Sequence, residues 1–353
     1  VFVKNAWYVA AHDVEVTRTL YPTTVLGERV VLYRTDKGDP VVLEDACPHR
    51  KLPLSMGRLK GDGIECGYHG LVFDCAGKCV HVPGSAKIPT GAQVRSYPAV
   101  SRYGLVWVWM GEAQRADPAT IFKVEHYGEL GWDRNQGGDM TVACNYLYIT
   151  DNLLDPSHVA WVHPSSFGDV SCEGEPVKTT VAAEGVTASR WMRDAEIAPF
   201  YAPLIPLKGR CDRLQHYEVR FPSHALVKAV FVPAGHGGDG AELRPDAAVM
   251  DSYNFMTPLD DGRTRYYWFQ MRNFALNDDT ASALMDQSVR GAFSEDKVIL
   301  EAVQQGFKHK TSANIDLAID RAPLSFRQKL QQLIAAEDTS LAAGNAAALK
   351  SIR

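Results

Sequence analysis

The chain has 353 residues, 46% of them hydrophobic and 22% charged, which suits two packed domains and is too apolar for disorder. Its net charge of −5 leaves no basic footprint for nucleic acid or an anionic membrane. No run approaches the roughly 18 apolar residues of a membrane span, and Val1-Phe2-Val3-Lys4-Asn5 turns polar too soon for a signal peptide, so the expectation is a cytoplasmic protein.

The first third reads as strands and turns. Val30-Val31-Leu32-Tyr33-Arg34 and Val41-Val42-Leu43-Glu44 flank the turn-forming Asp36-Lys37-Gly38-Asp39. Leu71-Val72-Phe73 and Cys79-Val80-His81 flank a second turn, and Leu105-Val106-Trp107-Val108-Trp109-Met110 is a heavily apolar strand. The polar stretch 111–118 then ends in proline, which places a boundary between an all-β domain, 1–112, and a second domain, 113–353. In that second domain a helix-like block covers 145–163. Strand candidates follow at 179–183, 186–192, 216–221 and 225–232, and an antiparallel pair brackets Asp260-Asp261-Gly262. A long helix over 279–307 takes Asp278 or Asp279 as N-cap, and a last helix begins near Pro323. Strands and helices in separate blocks predict an α+β fold, with an antiparallel sheet flanked by helices. The Ala-rich tail from Thr339 carries no readable function.

Seven cysteines, at 47, 66, 75, 79, 144, 172 and 211, are odd in number and scattered, which does not suit a disulfide framework. Two of them have histidines at ligand spacing: Cys47-Pro48-His49 and Cys66-Gly67-Tyr68-His69. Each half pairs a thiolate with an imidazole on a short loop, and two such loops can clamp a metal centre. A structural zinc site would accept the same four residues, although zinc ribbons ordinarily use CxxC knuckles. Cys75 and Cys79 read as strand residues. The pattern resembles the Rieske iron–sulfur domain. That resemblance implies a [2Fe-2S] cluster with Cys47 and Cys66 on one iron and His49 and His69 on the other. Two neutral imidazoles in place of thiolates raise its potential.

A second constellation starts at Asp151-Asn152-Leu153-Leu154-Asp155-Pro156-Ser157-His158 and runs to His163. Spacing by three predicts one helix face for Asn152, Asp155 and His158. His163 lies about 140° further round, so both rings reach one ion only if the helix bends or ends, and Pro156 supplies a cause. Far downstream Met285, Val289, Phe293, Leu300 and Val303 form an apolar stripe, and Asp296 falls on it. A carboxylate there must find a cation, a donor or a metal. Glu295 and Glu301 lie off the stripe and read as solvated.

Two histidines and one aspartate make the facial triad of non-haem Fe(II) oxygenases. With Asn5-Ala6-Trp7-Tyr8-Val9, Trp161-Val162-His163-Pro164-Ser165-Ser166 and Met271-Arg272-Asn273-Phe274, the chain resembles Rieske non-haem iron oxygenases. The resemblance is to the subfamily of vanillate O-demethylase, toluenesulfonate methyl-monooxygenase and dicamba demethylase oxygenase components. It implies that His158, His163 and Asp296 hold a mononuclear Fe(II) and that Asn152 sits near it. It also implies that Asp155 links His158 to His69 of a neighbouring subunit in a homotrimer. A separate flavin or ferredoxin-type reductase would bring electrons from NAD(P)H. With O2 these would hydroxylate an aromatic acid at a methoxy or methyl carbon. The competing readings are a ring cis-dihydroxylating dioxygenase and a Rieske electron carrier without catalysis. The chain departs from many relatives at Arg50-Lys51, where Arg is followed by Gly or another small residue. Gln215, His216 and Asn254 read as structural or surface residues.

Overall fold

The computed structural model describes residues 2–168 and 175–351, with side chains through residue 339. Cys172 and most of the Ala-rich tail's side chains lie outside the described residues. The chain divides into two compact units, Val1–Lys123 with Thr257–Asp261, and Val124–Met256 with Gly262–Arg353. No described helix is long and apolar enough to cross a membrane.

The first unit is built from eleven short strands: β1 (Trp7–His12), β2 (Tyr21–Val25), β3 (Glu28–Arg34), β4 (Pro40–Glu44), β5 (Arg58–Lys60), β6 (Gly63–Glu65), β7 (Val72–Phe73), β8 (Cys79–His81), β9 (Ser96–Tyr97), β10 (Ala99–Arg102) and β11 (Leu105–Trp109). They form three antiparallel sheets, ordered β1-β11-β10, β2-β3-β4-β9 and β5-β6-β7-β8. Alternation along β3 explains how they share one body. Val30 and Leu32 point into a core with Tyr8, Val42, Val106 and Val108. Val31 and Tyr33 point the other way, into a second core with Leu43, Ile64, Phe73 and both Cys47 and Cys66. A strand buried on both faces reads as an unbroken apolar run, and β3 does. The stretch 111–118 stays with this unit, because its backbone carbonyls serve side chains there. The Trp7 indole donates to the Asp117 carbonyl at 2.9 Å, and Arg102 donates to that of Pro118 at 2.9 Å.

The second unit centres on an antiparallel sheet of β12 (Asp133–Arg134), β13 (Gly138–Val142), β14 (Lys178–Val181), β15 (Gly185–Ala195), β16 (Cys211–Arg220), β17 (His224–Pro233), β18 (Ala248–Asp260) and β19 (Arg263–Arg272). Its order is β12-β19-β18-β17-β16-β15-β14, with β13 also on β19. Register fixes which residues share a face. Gln215 opposes Ala229, which opposes Met250, while Tyr217, Val227 and Ser252 line up in the same way. The helices are α1 (Tyr146–Asn152), α2 (Val159–Val162), α3 (Asp279–His309) and α4 (Arg321–Ser351). Asp278 caps α3, accepting from the Ala281 N–H at 2.9 Å. Residues Ala281, Met285, Val289, Ala292, Asp296 and Leu300 are the buried side of α3, at the three-and-four spacing of one helical face. The outer end of the expected stripe is partly open, with Val303 36% exposed. The last helix starts at Arg321, ahead of Pro323, and Phe326 stacks on Phe221 with centroids 4.9 Å apart.

Candidate metal centres

In the first unit Cys47 and Cys66 open two turns of the same build. The Cys47 N–H donates to the Leu52 carbonyl at 2.9 Å and its own carbonyl accepts from Lys51 at 2.8 Å. Cys66 does the same with Leu71 at 2.8 Å and Gly70 at 3.1 Å. The fourth residue after each cysteine is left-handed: Gly70 at φ +69° and Lys51 at φ +59°. Only glycine adopts this conformation without cost, so the lysine after Arg50 leaves the loop shape intact but strained. Lys51→Gly should therefore raise holo-protein stability by about 0.5–1 kcal/mol in denaturant titration, with the visible spectrum unchanged. No gain would mean that Lys51 makes compensating contacts.

Both cysteines are 2% exposed, whereas His49 and His69 lie at the exposed tip with ring centroids 4.6 Å apart. Burial pushes the Cys47 thiol up, and the amide groups of His49 and Arg50 oppose it by pointing at the sulfur. A buried thiolate pair of this kind needs positive charge from a metal centre. The set does not gather on one point: among the described residues no three of its donors come close enough for a single ion. Sulfurs inside and imidazoles outside fit a two-iron cluster better than one zinc. Cys75 stays out of it, donating to the Asp62 carbonyl at 3.2 Å.

In the second unit three donors do gather. Helix α1 ends at Asn152, residues 153–157 turn without helix, and α2 follows at Val159. The expectation of one block over 145–163, with Asn152, Asp155 and His158 on a helix face, is thus corrected. Proline cannot continue the ladder at 156 and disfavours helix at Asp155. The break precedes His158, which enters α2 at φ −62° and ψ −26°, while His163 ends it at φ −120° and ψ 43°. The Nε2 atoms of His158 and His163 lie 3.6 and 3.1 Å from Asp296 Oδ1, and one atom from each residue falls within 4.8 Å of the others. Asn152 donates to the same Oδ1 at 3.0 Å.

The outer nitrogens are held as well. His158 Nδ1 donates to the backbone carbonyl of Asp155, whose carboxylate accepts from the Ser157 N–H at 2.8 Å. His163 Nδ1 donates to Glu295 Oε2 at 2.7 Å. Each ring is thereby fixed with Nε2 turned inward, the arrangement that metal-binding histidines adopt. Burial disfavours a charged His163, yet Asp296 and Glu295 outweigh it and hold its affinity for a proton above the usual value. A pocket that draws positive charge to a ring only 4% exposed fits a cation. Glu295, expected to be solvated, lies off the buried stripe and is half-exposed, yet it meets His163 at the end of α2. Glu295→Gln should weaken ferrous-ion affinity by about tenfold or more, read by equilibrium metal titration. Unchanged affinity would mean that packing alone orients His163.

The three donors open on a cavity of about 70 Å³. Its floor is the sheet, with Gln215, Ser252 and Asn254, and its walls include Phe167, Tyr201 and Phe293. Gln215 and Asn254, read from sequence as structural or surface residues, both face this cavity. His216 points to the opposite face, 3.5 Å from Glu218.

Residues 6–98 match the Rieske [2Fe-2S] domain, and residues 142–336 match the vanillate O-demethylase oxygenase C-terminal domain. The chain is 33% identical to the vanillate O-demethylase oxygenase subunit of Pseudomonas sp. (strain HR199 / DSM 7063), across 95% of this chain and 96% of that one. The chain belongs to the Rieske oxygenase components of the vanillate O-demethylase type. It is also 36% identical to the toluene-4-sulfonate monooxygenase system iron-sulfur subunit of Comamonas testosteroni, over 85% and 88% of the two chains. The crystal structure of dicamba monooxygenase bound to 3,6-dichlorosalicylic acid superimposes with a TM-score of 0.88 at 27% identity, covering 96% of this chain and 99% of that one. The likeness thus spans both units of this oxygenase component. It leaves neither the electron-carrier reading nor the zinc reading favoured.

Proposed function

We propose that His158, His163 and Asp296 hold a mononuclear Fe(II), and that Cys47, His49, Cys66 and His69 hold the Rieske cluster that feeds it. The convergence of two Nε2 atoms and one carboxylate oxygen, each ring braced from behind, carries this reading. Bound there, a ferrous ion supplies dioxygen activation at a site with open coordination positions. The chain's own residues do the rest. Asn152 donates to Asp296 and keeps its carboxylate aimed inward. Phe167, Tyr201 and Phe293 enclose an aromatic ring away from bulk water.

The substrate class is an aromatic acid hydroxylated at a methoxy or methyl carbon. A hydroxylated methoxy carbon collapses to a phenol and formaldehyde, so demethylation needs no further enzyme. Relatives named as O-demethylases and monooxygenases support this over ring cis-dihydroxylation. Electrons come from NAD(P)H through a separate flavin or ferredoxin-type reductase. They pass between subunits of a cytoplasmic, head-to-tail homotrimer, with Asp155 linking His158 to His69 of the partner subunit. A ring-closing heterologous interface is the symmetry that such transfer requires. With a surrogate reductase, methoxylated or methylated aromatic acids should drive oxygen uptake and release formaldehyde or the benzylic alcohol. A cis-diol product would overturn the assignment.

A further inference from the structure

On the cavity side of the second unit's sheet, hydrogen-bond directions follow one from the next, starting at Asp286 on α3. A carboxylate only accepts. Asn135 Nδ2 donates to Asp286 Oδ1 at 2.7 Å and to Gln270 Oε1 at 2.6 Å, which uses both of its hydrogens. Asn135 Oδ1 accepts from the backbone N–H of Gln270 at 2.6 Å, so the amide cannot be turned over. With Oε1 engaged as an acceptor, Gln270 must present Nε2 to Ser252 Oγ, 2.9 Å away.

A second amide arrives from the other side. Asn254 Nδ2 donates to the Ser252 carbonyl at 2.8 Å and reaches Oγ at 3.4 Å. Because that carbonyl only accepts, Asn254 turns Oδ1 to Tyr266, whose hydroxyl donates to it at 2.8 Å. Asn254 faces the cavity, but its amide is spent inside the protein. Ser252 Oγ therefore receives two N–H groups and donates to neither. Among the described residues no acceptor is found for its hydroxyl hydrogen, and Ser252 lines the cavity.

We propose that Ser252 is a specificity-determining residue: its hydroxyl donates to an oxyanion substituent, carboxylate or sulfonate, on the aromatic substrate. The substrate class rests on the function proposed above; the hydroxyl's direction does not. Two N–H groups on Oγ polarise its O–H bond, and a polarised donor gains most from a charged acceptor. Arg213, 2% exposed on the same face of the sheet, adds positive charge to the cavity wall. A neutral ring leaves the buried donor unmatched, which is how such sites reject analogues.

The test is equilibrium binding of three probes to the oxidised holo-protein: 4-methoxybenzoate, 4-methoxybenzenesulfonate and the neutral 4-methoxytoluene. The native protein should favour one anion over the neutral ring by about tenfold or more, and that anion identifies the substituent. Ser252→Ala should weaken the favoured anion about tenfold and leave 4-methoxytoluene within about twofold. The neutral probe and the cluster spectrum report whether the cavity and fold survive. No anion preference in the native protein, an unchanged anion affinity in Ser252→Ala, or an equal loss for all three probes overturns the proposal. Absence of formaldehyde from a probe that binds would count against the proposed reaction and leave the role of Ser252 standing.

Discussion

Asp296→Ala should lose the lone metal and abolish turnover, with ferrous-ion affinity falling by more than about 100-fold. The carboxylate is the only charged donor of the three. Without it two neutral imidazoles face each other, and Asn152 loses the acceptor it holds at 3.0 Å. The helix itself should survive, since alanine suits a buried helical face and removes a charge that is costly to bury. Cys47, His49, Cys66 and His69, the proposed cluster ligands, stand in a separate unit, so the visible and spin-resonance signals of the cluster should persist. Retained iron with full activity would remove Asp296 from the centre.

Asp155→Asn should retain both metal sites and slow the delivery of electrons to the second by about tenfold or more in single turnover. The two functions of residue 155 visible within the chain survive the change. Asparagine Oδ1 still accepts from the Ser157 N–H, and the backbone carbonyl still holds His158. What is lost is the negative charge, the property that the proposed bridge to His69 of the partner subunit requires. A single-turnover rate equal to that of the native protein would take Asp155 out of the electron path and leave it as a turn cap.

Asp296 was legible because helical periodicity alone places it between Val289 and Leu300 on the buried face of α3. The two Cys–His loops were legible because their spacing is short-range and each loop is a local turn. The break before His158 was only partly legible. Spacing by three imitates a helix face, whereas the distortion that Pro156 implies ahead of the histidines is a full break that separates α1 from α2. Glu295 was hidden, because an acidic residue on the open side of a helix looks solvated until a partner from another segment meets it. The cavity floor misled for a related cause. Along β16 the inward positions are Arg213, Gln215 and Tyr217, so polar residues occupy the face that alternation normally marks as apolar. Register shows the face; composition obscured it.

Iron counting with Mössbauer spectroscopy on anaerobically purified, ferrous-reconstituted protein tests the central claim most directly. Two populations should be seen, about two irons per chain as the cluster and about one more as high-spin ferrous ion that vanishes in Asp296→Ala. Cluster iron alone after reconstitution, in the native protein, would contradict it.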